Sequence, residues 1–203
     1  FDFKTAENEA VLVKFSLSPV STAGAMANLR AEAPHWGFER VKTEGQAAWN
    51  AELGKIAVTM PSDGDMVNFY TALYHTFLSP TVYMDTDGMY KGLDQNVHKA
   101  SAFTNYTTFS LWDTYRALHP FFNIIQPKRN GEMVRSMMAH YDQSVHKMLP
   151  VWSHYANENW CMIGYHSVSV IADAVVKGNI DGAAAQKALD AAVQTARTRY
   201  YDG

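Results

Sequence analysis

The chain is poor in several things, and each shortage removes a class of explanation. It has one cysteine, Cys161, in 203 residues. An internal disulfide and a cysteine-built zinc site are therefore excluded. It has no excess of positive charge: 17 Lys and Arg stand against 20 Asp and Glu, a net charge of -3. That balance gives no electrostatic case for nucleic acid or an anionic membrane surface. No apolar run approaches the ~20 residues of a membrane span. The opening "FDFKTAENEAVLVKF" lacks a basic start followed by an apolar run, so no signal peptide is expected in it. Low-complexity segments and exact repeats are missing. So are GxSxG, a glycine-rich phosphate loop and HExxH. His140 and His146 are six apart, on different faces of a helix, so the eight histidines offer no metal spacing.

What remains is a chain 47% hydrophobic and 18% charged, able to bury a sizeable core. Its length fits one ordinary domain, or one domain and part of another. "AVLVKFSLSPVS" alternates apolar and polar residues, with Val11, Val13, Phe15 and Leu17 on one face. The pattern predicts a half-buried strand ended by Pro19. A lone strand needs partners, so it is expected to belong to a β domain. The pattern then turns helical. "STAGAMANLRAEA" begins with Ser/Thr capping candidates and stops before Pro34, "EGQAAWNAELGKIAV" predicts a second helix, and "SDGDMVNFYTALYHTFLSP" a third that Ser62 or Asp63 can cap. In the third, Met66, Phe69, Leu73 and Phe77 form an apolar stripe.

"TVYMDTDGMYKGL" predicts a β-hairpin turning at Asp87-Gly88. Asp85 and Asp87 are expected to serve the turn, because "DTDG" alone lacks the oxygens of a calcium loop. Four more helices are predicted over residues 107–118, 131–148, 160–177 and 182–199. "HPFFNIIQPKRN", "LPVWSHYANEN" and "KGNID" are read as connections. Successive helices with short links imply a bundle or an α/α toroid.

Two clusters carry candidate chemistry. In "LPVWSHYANENWCMIGYH", Glu158 sits among Trp152, Tyr155 and Trp160. Burial raises a carboxylate's pKa and suits an acid that must hold a proton. Position ahead of a helix favours the ionised form, and then Glu158, Asn157 or Asn159 simply caps it. In "FSLWDTYRALHP", Trp112 offers an apolar face for a sugar ring and Asp113 can accept from two adjacent hydroxyls. The plainer alternative pairs Asp113 with Arg116 at i, i+3 on the surface. His154 and His166 flank the first cluster and could reach a ligand, but they are expected to be satisfied core or rim residues. Asp173 lies fifteen residues beyond Glu158, about 22 Å along a continuous helix at about 1.5 Å per residue. That is too far for an acid–base pair.

These residues also carry a resemblance. "LSPVSTAGAMANL", "FYTALYHTFLSPTVYMDTDGMYKG", "YTTFSLWDTYRALHP" and "NENWCMIGYHSVSVIADAVVKG" together resemble the calcium-dependent exo-α-mannosidases of glycoside hydrolase family 92. The resemblance implies a mainly α chain, a partial (α/α)6 toroid preceded by a terminal β-sandwich strand and a helical linker. The boundaries it implies are 1–20 for the end of the sandwich, 21–62 for the linker and 63–203 for the first part of the barrel.

It further implies removal of terminal α-linked mannose from glycans, with inversion, outside the cytoplasm. Glu158 matches the family's general acid in a "GNET"-like segment, here "ANEN", with Ala156 and Asn159 replacing the Gly and Thr. Trp112 and Asp113 match the pair lining the mannose subsite. The general base and most calcium ligands belong to later segments, so the complement is expected from the remainder of the same polypeptide or a complementary fragment. The isolated residues are then expected to be inactive, with apolar faces uncovered. Rival readings are a non-catalytic carbohydrate-binding protein, an α/α-barrel glycosidase of other specificity, and a purely structural helical module.

Overall fold

A computed structural model describes residues 2–180 and 182–199. The first helix, α1 (Thr22–Glu32), begins where Ser21 takes an extended backbone and its Oγ accepts from Gly24 N–H at 3.0 Å. α2 (Phe38–Leu53) starts six residues ahead of the expected Glu44 and ends at Gly54. "FERVKT" is made largely of good helix formers, and Gly45 inside the helix is too weak a breaker to stop it. α3 (Asp63–Thr76) is capped by Ser62, with Asp63 and Asp65 at the positive end of its dipole. Leu73 is its buried residue, within the predicted stripe.

The β part departs from expectation. Residues 10–21 form no strand, and Phe15 and Leu17 are 84% and 81% exposed. The alternating pattern is there, but among the described residues no neighbouring edge offers a ladder to complete. The Asp85–Gly88 turn does form: Gly88 N–H donates to Asp85 C=O at 2.8 Å, and Gly88 has a left-handed φ of 84°. Asp85 N–H also donates to Met89 C=O at 2.8 Å, but beyond that closing bond the flanks do not pair with each other. β1 (Thr81–Val82) pairs with β4 (Tyr106–Thr107), whereas β2 (Met89–Lys91) pairs with β3 (Val97–Lys99). A second turn at Gly92–Asn96 competes for β2 and wins it.

The expected helix over 107–118 is broken up as well. Thr108 has φ 66°, which ends β4 and redirects the chain into β5 (Phe109–Ser110) and the single turn α4 (Leu111–Thr114). "HPFFNIIQPKRN", expected to connect, instead forms α5 (Leu118–Ile125) and the start of α6 (Pro127–Gln143). Pro120 and Pro127 fall in the first turns, where a missing N–H costs no helical bond. β6 (Trp152–His154), β7 (Asn157–Glu158), α7 (His166–Val176) and α8 (Gly182–Arg197) complete the order.

The core lies where α6 packs against α5, α7 and α8. Phe109, Leu111, Phe122, Met133, Met137 and Leu149 are fully buried, each worth roughly 1.5–3 kcal/mol of apolar transfer. The architecture is mainly helical, with three small antiparallel sheets.

Residues ahead of α3 are tied to this core by two polar nodes. Asp85, 3% exposed, accepts from Ser18 Oγ at 2.7 Å and from Asn28 Nδ2 at 2.8 Å. The turn reading of Asp85 is thus incomplete: its carbonyl serves the turn and its carboxylate serves α1. Gly24 faces that carboxylate so closely that a Cβ there would stand 2.3 Å from Oδ2. At the other node, Glu52 on α2 meets Arg129 of α6 at 3.0 Å and Lys55 at 2.8 Å, and Gln126 also donates to it. Against desolvation, which pushes the other way, these donors hold the Glu52 carboxyl down at about 2.

Candidate active site

A three-stranded sheet, β5-β6-β7, brings the two candidate clusters together. Phe109 pairs with Ser153, and Ser153 pairs with Glu158. Adjacent strands lie ~4.8 Å apart, so Glu158 sits roughly 10 Å across the sheet from the strand that leads into Trp112 and Asp113. Directly opposed residues share a face. Glu158 therefore falls on the face of Phe109 and Ser153, both fully buried.

Glu158 is not a helix cap. It lies in β7, and the following helix begins only at His166. Its side chain turns back across the hairpin. Oε2 accepts from Val151 N–H at 2.9 Å, and Oε1 accepts from Trp152 N–H at 2.8 Å and Trp160 N–H at 3.2 Å. All three donors are neutral. Burial raises the Glu158 pKa from its ordinary value, and the backbone bonds oppose this without reversing it.

Trp112 and Asp113 stand in α4, immediately after β5. Trp112 is 37% exposed and presents an edge contact to His166, ring centres 5.4 Å apart. His166 stacks on Tyr115 at 4.2 Å, and the Arg116 guanidinium lies over the Tyr115 ring at 4.9 Å. Asp113 accepts from the Ser110 hydroxyl. The surface pair between Asp113 and Arg116 is replaced by these two local contacts. The expectation that His154 and His166 are satisfied is not met: Nε2 of each is buried without a hydrogen-bond partner.

The backbone around this sheet is strained. Of seven non-glycine residues with positive φ among the described residues, five are Gln95, Thr108, Tyr155, Ala156 and Trp160. Such conformations cost on the order of 1–3 kcal/mol each and concentrate at functional sites. Tyr155 and Ala156 form the two-residue turn between β6 and β7. The usual signal for that turn is Asn-Gly or Asp-Gly, so Tyr-Ala hid the hairpin in the sequence.

Asp173 is not near this site in role. It accepts from Asn123 Nδ2 at 2.7 Å and Lys177 Nζ at 2.8 Å. Lys177, with Asn123 assisting, holds its carboxyl below the ordinary range. The length estimate along a continuous helix fails, because α7 starts at His166. Asp173 is set aside instead by its partners. Behind it runs a polar chain: Asn123 Oδ1 accepts from Asn130 Nδ2 and Asn179 Nδ2, each at 2.6 Å, and His119 Nδ1 lies 2.7 Å from Asn130 Oδ1.

Comparison with known proteins fits this geometry. The model of the glycosyl hydrolase family 92 catalytic domain matches residues 24–203. A family GH92 α-mannosidase from Bacteroides thetaiotaomicron is 50% identical, with a TM-score of 0.86, over 91% of this chain and 24% of that one. The same enzyme in complex with mannoimidazole gives 49% identity and a TM-score of 0.86 over the same shares. An inverting GH92 mannosidase from Bacteroides thetaiotaomicron VPI-5482 is 31% identical, with a TM-score of 0.77, over 86% of this chain and 23% of that one. An uncharacterized secreted glycosidase of Arthroderma benhamiae is 27% identical over 110 residues, 52% of this chain and 13% of its own length. The chain thus spans about a quarter or less of these relatives. With the domain match running through α1 to α8 and the fold superposing on solved members, the chain belongs to glycosyl hydrolase family 92.

Proposed function

We propose that this chain is part of an exo-α-mannosidase, that Glu158 is its general acid, and that Trp112 and Asp113 hold the terminal mannose. One observation carries the reading: Glu158 is half-buried against neutral donors alone, and burial raises its pKa, the direction required of an acid that must hold a proton. A protonated Glu158 gives that proton to the glycosidic oxygen as the bond to the anomeric carbon breaks. Trp112 stacks on the sugar face, and Asp113, oriented by Ser110, accepts from its hydroxyls.

Inverting hydrolysis also needs a second carboxylate to activate water, roughly 6.5–9.5 Å from the acid. Asp173 is unsuited, being bound to Lys177 and Asn123. The base is therefore assigned to further residues of the full-length protein. Inversion is supported by the relative described as an inverting mannosidase, and mannose as substrate by the mannoimidazole complex.

Calcium takes roughly 6–8 oxygen ligands. The described residues assemble no group of three or more His, Cys, Asp or Glu side chains, so they do not by themselves fit the ion. Its ligands are assigned to the same further residues as the base, and the acid's role stands without it. Residues 1–20 are read as the end of a β-sandwich, 21–62 as a linker and 63–203 as the first part of an (α/α)6 barrel. An extracytoplasmic location is supported by the Arthroderma relative, described as secreted. No helix among the described residues is long and apolar enough to cross a membrane.

The test is Glu158→Gln in the full-length enzyme. Turnover of a mannobiose should fall by ~10²–10⁴, with a smaller fall on a mannoside bearing an activated aryl leaving group. Near-normal mannobiose turnover would remove Glu158 from the acid role. Mannose binding with no turnover in the unaltered full-length protein would instead favour a non-catalytic binding protein.

A further inference from the structure

The turn that presents Glu158 is clamped from outside the hairpin. Tyr155 and Ala156 have φ of 47° and 60°, and neither is a residue that favours the left-handed region. Two side chains from other elements hold the turn's backbone. Tyr155 N–H donates to Thr107 Oγ1 at 2.7 Å, and Ala156 C=O accepts from Gln95 Nε2 at 2.8 Å.

Both clamping residues are themselves fixed. Thr107 is 1% exposed and paired with Thr81 in the β1–β4 ladder. Gln95 sits at the tip of the β2–β3 turn, also left-handed, with its N–H donating to Gly92 C=O at 2.9 Å. Asp94 braces that tip by accepting from Asn96 N–H at 3.0 Å and meeting His98 Nε2 at 2.9 Å. Two separate sheets thus converge on one strained turn, and the candidate acid lies two residues beyond it.

We infer that Gln95 and Thr107 are positioning residues for Glu158. They hold Tyr155–Ala156 left-handed and so fix the hairpin register that aims the carboxyl group. This inference rests on the acid reading of Glu158. Without either partner the turn loses its tether and relaxes, and the acid moves while Trp112 and Asp113, carried by α4, stay in place. A misplacement of about 1 Å at a catalytic group can cost ~10²-fold in rate. Binding of the sugar should change little.

The test uses the full-length enzyme with two substrates, a mannobiose and a mannoside with an activated aryl leaving group. Gln95→Ala and Thr107→Val should each lower kcat on mannobiose by ~10- to 100-fold, with KM within ~3-fold and a much smaller loss on the activated substrate. Thr107→Ser keeps the acceptor and should stay within ~2-fold of the parent. The decisive variant replaces the turn by Asn-Gly (Tyr155→Asn with Ala156→Gly) in the Gln95→Ala background. That pair adopts the required turn unaided, so it should restore most of the lost kcat. A general loss of folding would not show this rescue. Unchanged kcat in Gln95→Ala, or equal losses on both substrates, overturns the clamp while leaving the acid reading intact. Loss of leaving-group dependence in Glu158→Gln overturns both.

Discussion

The β6–β7 hairpin and the α5–α6–α7 interface each hold a carboxylate, and they treat it in opposite ways. Asp173 meets an ammonium and an amide, Lys177 and Asn123, and its pKa is lowered. Glu158 meets only backbone N–H groups between aromatic neighbours, and burial raises its pKa. The first arrangement fixes a charge and ties helices together. The second favours the protonated form. The Lys177 ammonium governs the first and desolvation the second, so the sign of the partner and the depth together set the two carboxylates apart.

The comparison breaks most sharply in rate. In the full-length enzyme, Glu158→Gln should cost ~10²–10⁴ on mannobiose, whereas Asp173→Asn should leave kcat within ~3-fold. Parallel steady-state measurements decide it, and a large loss in Asp173→Asn would erase the distinction.

Acid unfolding gives the next largest effect. Burial lowers the pKa of His119 and His140 from 6.5 to about 4. The unfolded chain takes up these protons first, so stability falls as pH drops from about 6.5 to about 4. The total is on the order of a few kcal/mol. Glu158 works in the other sense: its raised folded pKa favours the fold at low pH and costs stability as pH rises through that value. Denaturant titrations over this range should show a net loss toward acid, and a flat profile would refute the assignment. Next comes Asp173→Ala, which strands Asn123 and Lys177 and should cost about 1–3 kcal/mol in the same titrations at neutral pH. Lys177→Ala should cost less, about 0.3–0.5 kcal/mol, because that pair is half-exposed and spans i, i+4 on a helix.

How much of this was legible in the sequence varied with the reach of each interaction. Ser21 and Ser62 as caps and the α3 stripe were readable because each signal lies within one or two turns. Glu158, Trp112 and Asp113 stood out by residue type and neighbourhood. The strand that carries Glu158 did not, because Tyr155 and Ala156 carry no local preference for their turn. It is imposed by Thr107 and Gln95 from 48 and 61 residues away. α5 was hidden by Pro120, which reads as a breaker but sits where a helix tolerates it. The pairing of β1 with β4 rather than β2 was likewise decided by partners too distant to see.

The node at Asp85 sets an order of events for the growing chain. α1 can cap itself on Ser21 as soon as it is made, but its anchor lies 57 residues beyond Asn28 and 67 beyond Ser18. Closing so long a loop is slow compared with forming a helix. The segment that leads into the domain must therefore wait undocked until the Asp85 turn has been synthesised and folded behind it.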